Sequence, residues 1–176
     1  MTRNDIITSA LLQLGRDPQT IEDYADRMTT YANDAVLDLA DACKPIRTDA
    51  VACVNGTIDL STLPRTCLKI LGVFGDKEVA FRTSNFNTIA IVGADGTYSV
   101  TYRYAPKLLC SPTDVPEIPE NLHGLITTYV IARERSATDA GNQRGANVYF
   151  EIYNAGKRAI RSHYGEADAY TIKNRW

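Results

Sequence analysis

Two histidines, four cysteines and a few closely spaced carboxylates are the residues of this chain that could do chemistry. Asp38 and Asp41 lie three apart on one predicted helix face, a spacing that could hold a cation. They fall opposite that helix's apolar stripe, so the expectation is a solvated acidic face. His123 could serve as a general base, but no nucleophile or carboxylate stands at a defined spacing from it. A capping or boundary role in the first turn of its helix is expected instead. Glu117 and Glu120 flank that turn and suit the positive end of a helix dipole. The cysteines Cys43, Cys53, Cys67 and Cys110 form no CxxC pair, and with only His123 and His163 to join them a zinc site is not expected. They read as small buried hydrophobes in a reducing compartment. GxGxxG, GxxxxGK[ST], HExxH and GxSxG are all absent, so no catalytic, cofactor-binding or metal-binding residue is assigned.

Binding chemistry is better represented. Arg133, Glu134 and Arg135, then Lys157, Arg158 and Arg161, make the last two helices basic. Such a face could meet an acidic partner or a nucleic-acid backbone, although solvated charge on helix exteriors gives the same pattern. The C-terminus is harder to explain by folding alone. Its Tyr170, Ile172, Lys173, Arg175 and Trp176 interleave aromatic, aliphatic and basic residues without a period. An aperiodic terminus is mobile unless tied down, so these residues read either as anchors on a neighbouring chain or as a tail folded back on its own domain.

Composition sets wide limits. The chain's 176 residues suit one domain, or a domain with a modest insertion, and need no staples to fold. A formal charge of −2 excludes a strongly basic nucleic-acid binder on net charge, while leaving room for a local patch. Ten tyrosines against four phenylalanines and one tryptophan hint at interfaces. The N-terminus opens directly into an amphipathic helix without a signal peptide's apolar run, and no apolar run is long enough to span a bilayer. The expectation is a soluble protein made and used without export machinery.

The elements that must position these residues follow from period and punctuation. Thr2 and Asp5 match a capping box, and Ile6, Ile7, Ala10, Leu11 and Leu14 form a helix ending at Gly15. A second helix starts at Thr20 as N-cap, carries the stripe from Ile21 to Cys43, and stops at Lys44-Pro45. From Thr48 to Ala105 the helical period vanishes. Strands are predicted at Asp49–Val54 and Thr57–Leu60 around an Asn55-Gly56 hairpin turn, then at Cys67–Phe74, Lys77–Phe81, Thr88–Val92 and Thr97–Tyr104. Arg82–Asn87 reads as a polar loop tip. The last strand alternates strictly, with Tyr98, Val100, Tyr102 and Tyr104 on one face. A third helix from Pro119 to Ala140 buries Leu122, Leu125, Ile126, Tyr129, Val130 and Arg133 along one stripe, and Gly141-Asn142 breaks it. The fourth carries Ala146, Tyr149, Phe150, Tyr153, Ile160 and Tyr164, is weakened at Gly156, and ends at Gly165. The expected fold class is α+β. It is a four-helix bundle with an inserted small antiparallel β-sheet meander and an extended C-terminal tail. The boundaries are 1–47 for helices one and two, 48–106 for the β insertion, 107–164 for helices three and four, and 165–176 for the tail.

Certain segments carry a resemblance: Ile6-Ile-Thr-Ser-Ala-Leu-Leu-Gln-Leu-Gly15, Ala32-Asn-Asp-Ala-Val-Leu-Asp-Leu-Ala40, Leu63-Pro-Arg-Thr-Cys-Leu-Lys-Ile-Leu-Gly-Val73, Tyr102-Arg-Tyr-Ala-Pro106 and Asp114–Arg135. Taken in order over nearly the whole chain, they resemble the head-to-tail adaptor (connector, or tail tubular A-like) proteins of tailed bacteriophages. The resemblance implies a virion protein of the neck, assembled in the host cytoplasm as a homo-oligomeric ring of twelve beneath the portal protein. The ring would join capsid to tail or neck proteins and extend the channel for double-stranded DNA, which passes without sequence-specific binding. It also implies that residues 165–176 grip the portal or a neighbouring subunit. No enzyme activity, cofactor or membrane is expected. The alternatives are a tail-completion or terminator protein stacked on the tail tube, and a small nucleic-acid-binding regulatory protein.

Overall fold

The computed structural model describes residues 1–138 and 143–163. The chain forms two compact units, one from Met1–Cys43 and the chain from Leu108 onward, the other from Lys44–Lys107. Its architecture is mixed, with four helices and an antiparallel sheet.

The helical unit contains α1 (Arg3–Gln13), α2 (Ile21–Cys43), α3 (His123–Thr138) and α4 (Gln143–His163). The predicted capping box forms: Asp5 N–H donates to Thr2 Oγ1 at 3.2 Å and Thr2 N–H donates to Asp5 Oδ2 at 2.8 Å. The second cap differs from expectation. Pro18–Thr20 is a 3₁₀ turn, and Asp17 caps it by accepting from Gln19 N–H at 2.9 Å. Thr20 closes that turn, and its hydroxyl donates back to Asp17 O at 2.7 Å. Proline at the turn's first position presets φ, which moves the start upstream of Thr20. Lys44 ends α2 in the left-handed region, φ +50°.

The expected four-helix bundle is not matched. Strands separate the helices into two pairs, and α3 is the hub, with α1, α2 and α4 each packed on it. A hub cannot bury only one stripe. Leu122, Ile126 and Val130 are buried as expected, but so are His123, Thr127, Ile131, Ala132 and Glu134, whereas Arg133 is exposed. Met28, Ala32, Ala35, Val36 and Leu39 of α2 and Ile6, Ile7 and Leu11 of α1 complete this core, joined by Tyr153 and Ile160 of α4. Gly156 allows close approach rather than merely weakening α4, because a Cβ there would stand 2.5 Å from Leu125 Cδ2.

Glu134 is a charge held inside the core. Its side chain is 0% exposed, yet it accepts from Arg16 Nη1 at 2.5 Å and from Arg27 Nη2 and Nε at 2.7 and 2.9 Å. Both guanidiniums also lie over the Tyr24 ring, 4.6 and 5.6 Å from its centroid. Burial alone would raise the Glu134 carboxyl, but the hydrogen bonds from Arg27 and Arg16 outweigh it and hold the group below its ordinary value.

The second unit is one six-stranded sheet: β1 (Ile46–Val54), β2 (Thr57–Asp59), β3 (Cys67–Phe74), β4 (Phe81–Asn85), β5 (Thr88–Ile91) and β6 (Gly96–Tyr104). Asn55 and Gly56, with φ of +53° and +69°, make the predicted two-residue turn between Val54 and Thr57, which pair across it. The sheet is antiparallel but not a meander, since its order is β3-β6-β1-β2-β5-β4. Although consecutive, β5 and β6 do not pair. The two nine-residue strands β1 and β6 find each other over eight positions, from Ile46↔Arg103 to Cys53↔Gly96, and β5 is left to β2 and β4.

Strand boundaries move as well, with β1 starting at Ile46 rather than Asp49. Lys77–Ala80 forms no strand beyond a bridge of Glu78 to Phe74, while Phe81 opens β4, to which Arg82–Asn85, expected as loop, also belongs. Every β4 residue is exposed, so no apolar alternation marks it and only pairing with β5 makes it a strand. The alternation of β6 is as expected, with Val100 and Tyr102 buried beside Val51, Cys53, Ile58, Val73, Ile89 and Ile91. Tyr102 Oη donates to Asp49 Oδ2 at 2.7 Å, and Arg47 Nε donates to the same oxygen at 2.7 Å.

Replacing Glu134 tests the hub. Glu134→Ala is expected to cost about 3 kcal/mol in urea unfolding, because it removes three charge-assisted hydrogen bonds to buried oxygens. A carboxyl lowered in the fold contributes stability above its unfolded value of 4.5 and loses it as pH falls through the lower folded value. Glu134→Gln should therefore flatten the acid limb of the stability curve, and an unchanged limb would refute the pairing. In the sheet, Gly56→Ala should cost about 1 kcal/mol, since an L-residue pays sterically for a left-handed turn position. Denaturant midpoints check this.

Candidate assembly surfaces

The residues singled out for chemistry are absorbed into the structure. Among the described residues no group of three or more His, Cys, Asp or Glu could hold a metal ion. The four cysteines are free thiols. Cys43 and Cys53 are buried as expected, Cys67 is half-buried and Cys110 is exposed, so the buried reading fails for the last. Burial pushes the Cys43 and Cys67 thiols up.

His123 stands at the boundary between the Glu120–Leu122 3₁₀ turn and α3, but it is a core residue only 2% exposed. One ring nitrogen, Nε2, lies 3.1 Å from Ile118 O, and Nδ1 lies 3.3 Å from the Met1 amino group. Burial lowers its pKa below the ordinary value, against the pull of the Ile118 carbonyl.

Asp38 keeps 42% of its side-chain surface, so the face is partly solvated as expected, but the carboxylate is also engaged within the subunit. It accepts from Tyr153 Oη at 2.6 Å and from Lys157 Nζ, tying α2 to α4. Burial and that carboxylate push the Tyr153 phenol upward. Asp41 is exposed.

The basic residues divide in the same way. Arg133 lies over Tyr31 and Arg135 over Tyr149, each 5.2 Å from the ring centroid, while Glu134 between them is buried. Solvated charge therefore describes Arg133 and Arg158, which are exposed, but not Glu134 or Lys157. The side chain of Arg161, and the tail residues Tyr170, Ile172, Lys173, Arg175 and Trp176, lie outside the described residues.

What remains outward is surface for contact. The inner face of α4 buries Ala146, Tyr153 and Ile160, with Tyr149 and Phe150 half-buried. A second stripe points the other way: Val148 and Ile152 are 53% and 51% exposed, and Ala155 and Ala159 continue it. Its signal is present in the sequence, at steps of four, three and four, but a reading that allows each helix a single stripe passes over it. The outward face of α2 is acidic, with Asp23, Asp26, Asp34 and Asp41 exposed around Leu37, itself 44% exposed. In the sheet unit the β4–β5 hairpin exposes Phe86 at its tip, 89% accessible, and β4 is an unpaired edge.

A protein-family model for the SU10 adaptor protein matches residues 1–174. The chain belongs to the SU10 adaptor family. This is a family of phage head-to-tail adaptors, structural proteins, and membership implies a place in the virion neck with portal or tail proteins as partners. No curated protein matches the chain. Among the described residues no helix is long and apolar enough to cross a membrane. For an adaptor the contrast above has a plain meaning, because polar groups with chemical potential support the fold and apolar groups stand on the outside.

The histidine gives a direct test of that division. A base whose folded pKa is lowered withdraws stability as pH falls below its unfolded value of 6.5. NMR titration of His123 should give a midpoint below 6.5, and His123→Gln should remove the matching stability loss. A midpoint at or above that value would show an accessible imidazole instead.

Proposed function

We propose that this adaptor is a ring-forming structural protein of the virion neck. Twelve copies sit beneath the portal, join capsid to tail and extend the channel for double-stranded DNA. It catalyses no reaction and binds no cofactor. The observation that carries this reading is the family match over residues 1–174. The exposed apolar stripe of α4 supports it, since a surface helix that stays solvated has no need of Val148 and Ile152 side by side on its outer face. The regulatory nucleic-acid-binding alternative is disfavoured because Arg135 stacks on Tyr149 and Lys157 is paired with Asp38, which leaves only Arg133 and Arg158 exposed among the described basic side chains it would use. In the adaptor reading DNA passes a polar lumen without a dense collar of lysine and arginine to hold its phosphates. The subunit assembles in the host cytoplasm, and residues 165–176, with Tyr170, Ile172 and Trp176 as anchors, dock on the portal or the next subunit.

Deleting residues 166–176 tests the docking. The truncated chain should keep its melting temperature and lose co-sedimentation with the portal protein. Unchanged co-sedimentation would overturn the assignment of the tail. Imaging of particles should find the protein directly beneath the portal, and a position on the tail tube away from the portal would favour a tail-terminator role.

A further inference from the structure

We propose that Asn55 is a self-modifying site, which loses its side-chain ammonia to become aspartate or isoaspartate at a rate set by the hydrogen bond from Gly56 N–H to Asp95.

The sequence marks the position. Of the chain's asparagines, Asn55 alone is followed by glycine, which leaves the next backbone nitrogen sterically open to attack. Asn55 is exposed, so water reaches its amide. The reaction needs no other reagent. Gly56 N gives its proton to solvent and bonds to Asn55 Cγ, while the side-chain amide nitrogen takes up a proton and leaves as ammonia. The five-membered succinimide then adds one water, which opens it at either carbonyl. Opening at one gives aspartate, and opening at the other routes the main chain through the side chain as isoaspartate.

Tertiary structure supplies the gate. To bring its nitrogen to Cγ, the Asn55–Gly56 peptide plane must turn about the Asn55 Cα–C bond. In the folded chain it is held. Asn55 and Gly56 adopt φ +53° and +69° in the two-residue turn, Gly56 N–H donates to Asp95 Oδ1 at 3.2 Å, and Gly56 O accepts from Ile91 N–H at 2.9 Å. Thr57 Oγ1 closes the turn by donating to Val54 O at 2.7 Å. The Asp95 carboxylate acts twice. It occupies the N–H that must be lost, and its negative charge disfavours an amide anion beside it.

The position gives the change a consequence. Strand β1 pairs with β2 at Cys53↔Ile58 and Val54↔Thr57, directly beside the turn. That short ladder joins the β3-β6-β1 half of the sheet to the β2-β5-β4 half. Either product sets a second carboxylate near Asp95, and isoaspartate also lengthens the main chain of a turn that has no slack. Modification therefore weakens the seam of the sheet.

The test incubates the full-length chain at mildly alkaline pH and follows ammonia loss in the peptide spanning Asn55 by mass spectrometry. Folded wild type should react slowly at Asn55, and the chain unfolded in guanidinium chloride about tenfold faster, the factor that 1.4 kcal/mol represents. Asp95→Ala, checked for a native melt, should recover most of that acceleration. Adding Gly56→Ala to it should remove the gain, because the new methyl group shields the attacking nitrogen. Amide exchange at Gly56 reads the gate in the wild type directly and should be protected. The modified fraction, separated by ion exchange, should melt below the unmodified one. No reaction at Asn55 in the unfolded chain, or equal rates in folded and unfolded wild type, would overturn the proposal. So would a folded Asp95→Ala variant that reacts no faster than wild type. If that variant does not fold, a wild-type Gly56 amide that exchanges as fast as in the unfolded chain would overturn it instead.

Discussion

A carboxylate without access to water organises the helical unit. Desolvating Glu134 costs several kcal/mol, and only good geometry with well-placed donors offsets it. Arg16 comes from the segment after α1 and Arg27 from α2, so the same two oxygens tie α3 to both. The guanidiniums remain 25% and 46% exposed, which keeps their own desolvation modest. Tyr24 lies under both and limits where they can go. With these contacts made, α3 has little freedom to rotate, and the apolar residues around its circumference meet α1, α2 and α4 in one arrangement.

The same rigidity bears on assembly. Packing on α3 buries Tyr153 and Ile160 of α4 and leaves Val148 and Ile152 on the far side. Asp38 reinforces that orientation by accepting from Tyr153 and Lys157, so α4 cannot roll to hide its outer stripe without abandoning a buried phenol's partner. The internal polar groups thereby fix which face of α4 turns outward. The groups that resemble functional residues in the sequence thus act one step removed from any partner.

The sheet unit follows a different logic. Its core is one face of a single sheet, closed by the long β1–β6 ladder and by Tyr102, whose hydroxyl reaches Asp49. Its edges are β3 and β4. The β4 edge is wholly exposed and carries Arg82, Thr83, Ser84 and Asn85, the polar character that keeps natural sheet edges from indiscriminate pairing.

Local signals determine much of this protein. The Thr2–Asp5 capping box, the Asn55-Gly56 turn, the α2 stripe and the alternation of β6 each depend on neighbours within a few residues, and each is legible in the amino-acid sequence. The phage adaptor family is legible there too, from motifs kept in order along the chain. Tertiary structure alone decides the rest. Arg82–Asn85 becomes a strand because β5 lies beside it. The sheet order follows from which long strands meet, and Glu134 enters the core because two arginines more than a hundred residues away in sequence arrive to receive it. Those outcomes depend on desolvation and pairing between distant segments, and a period read along one helix or strand carries no information about what will stand across from it.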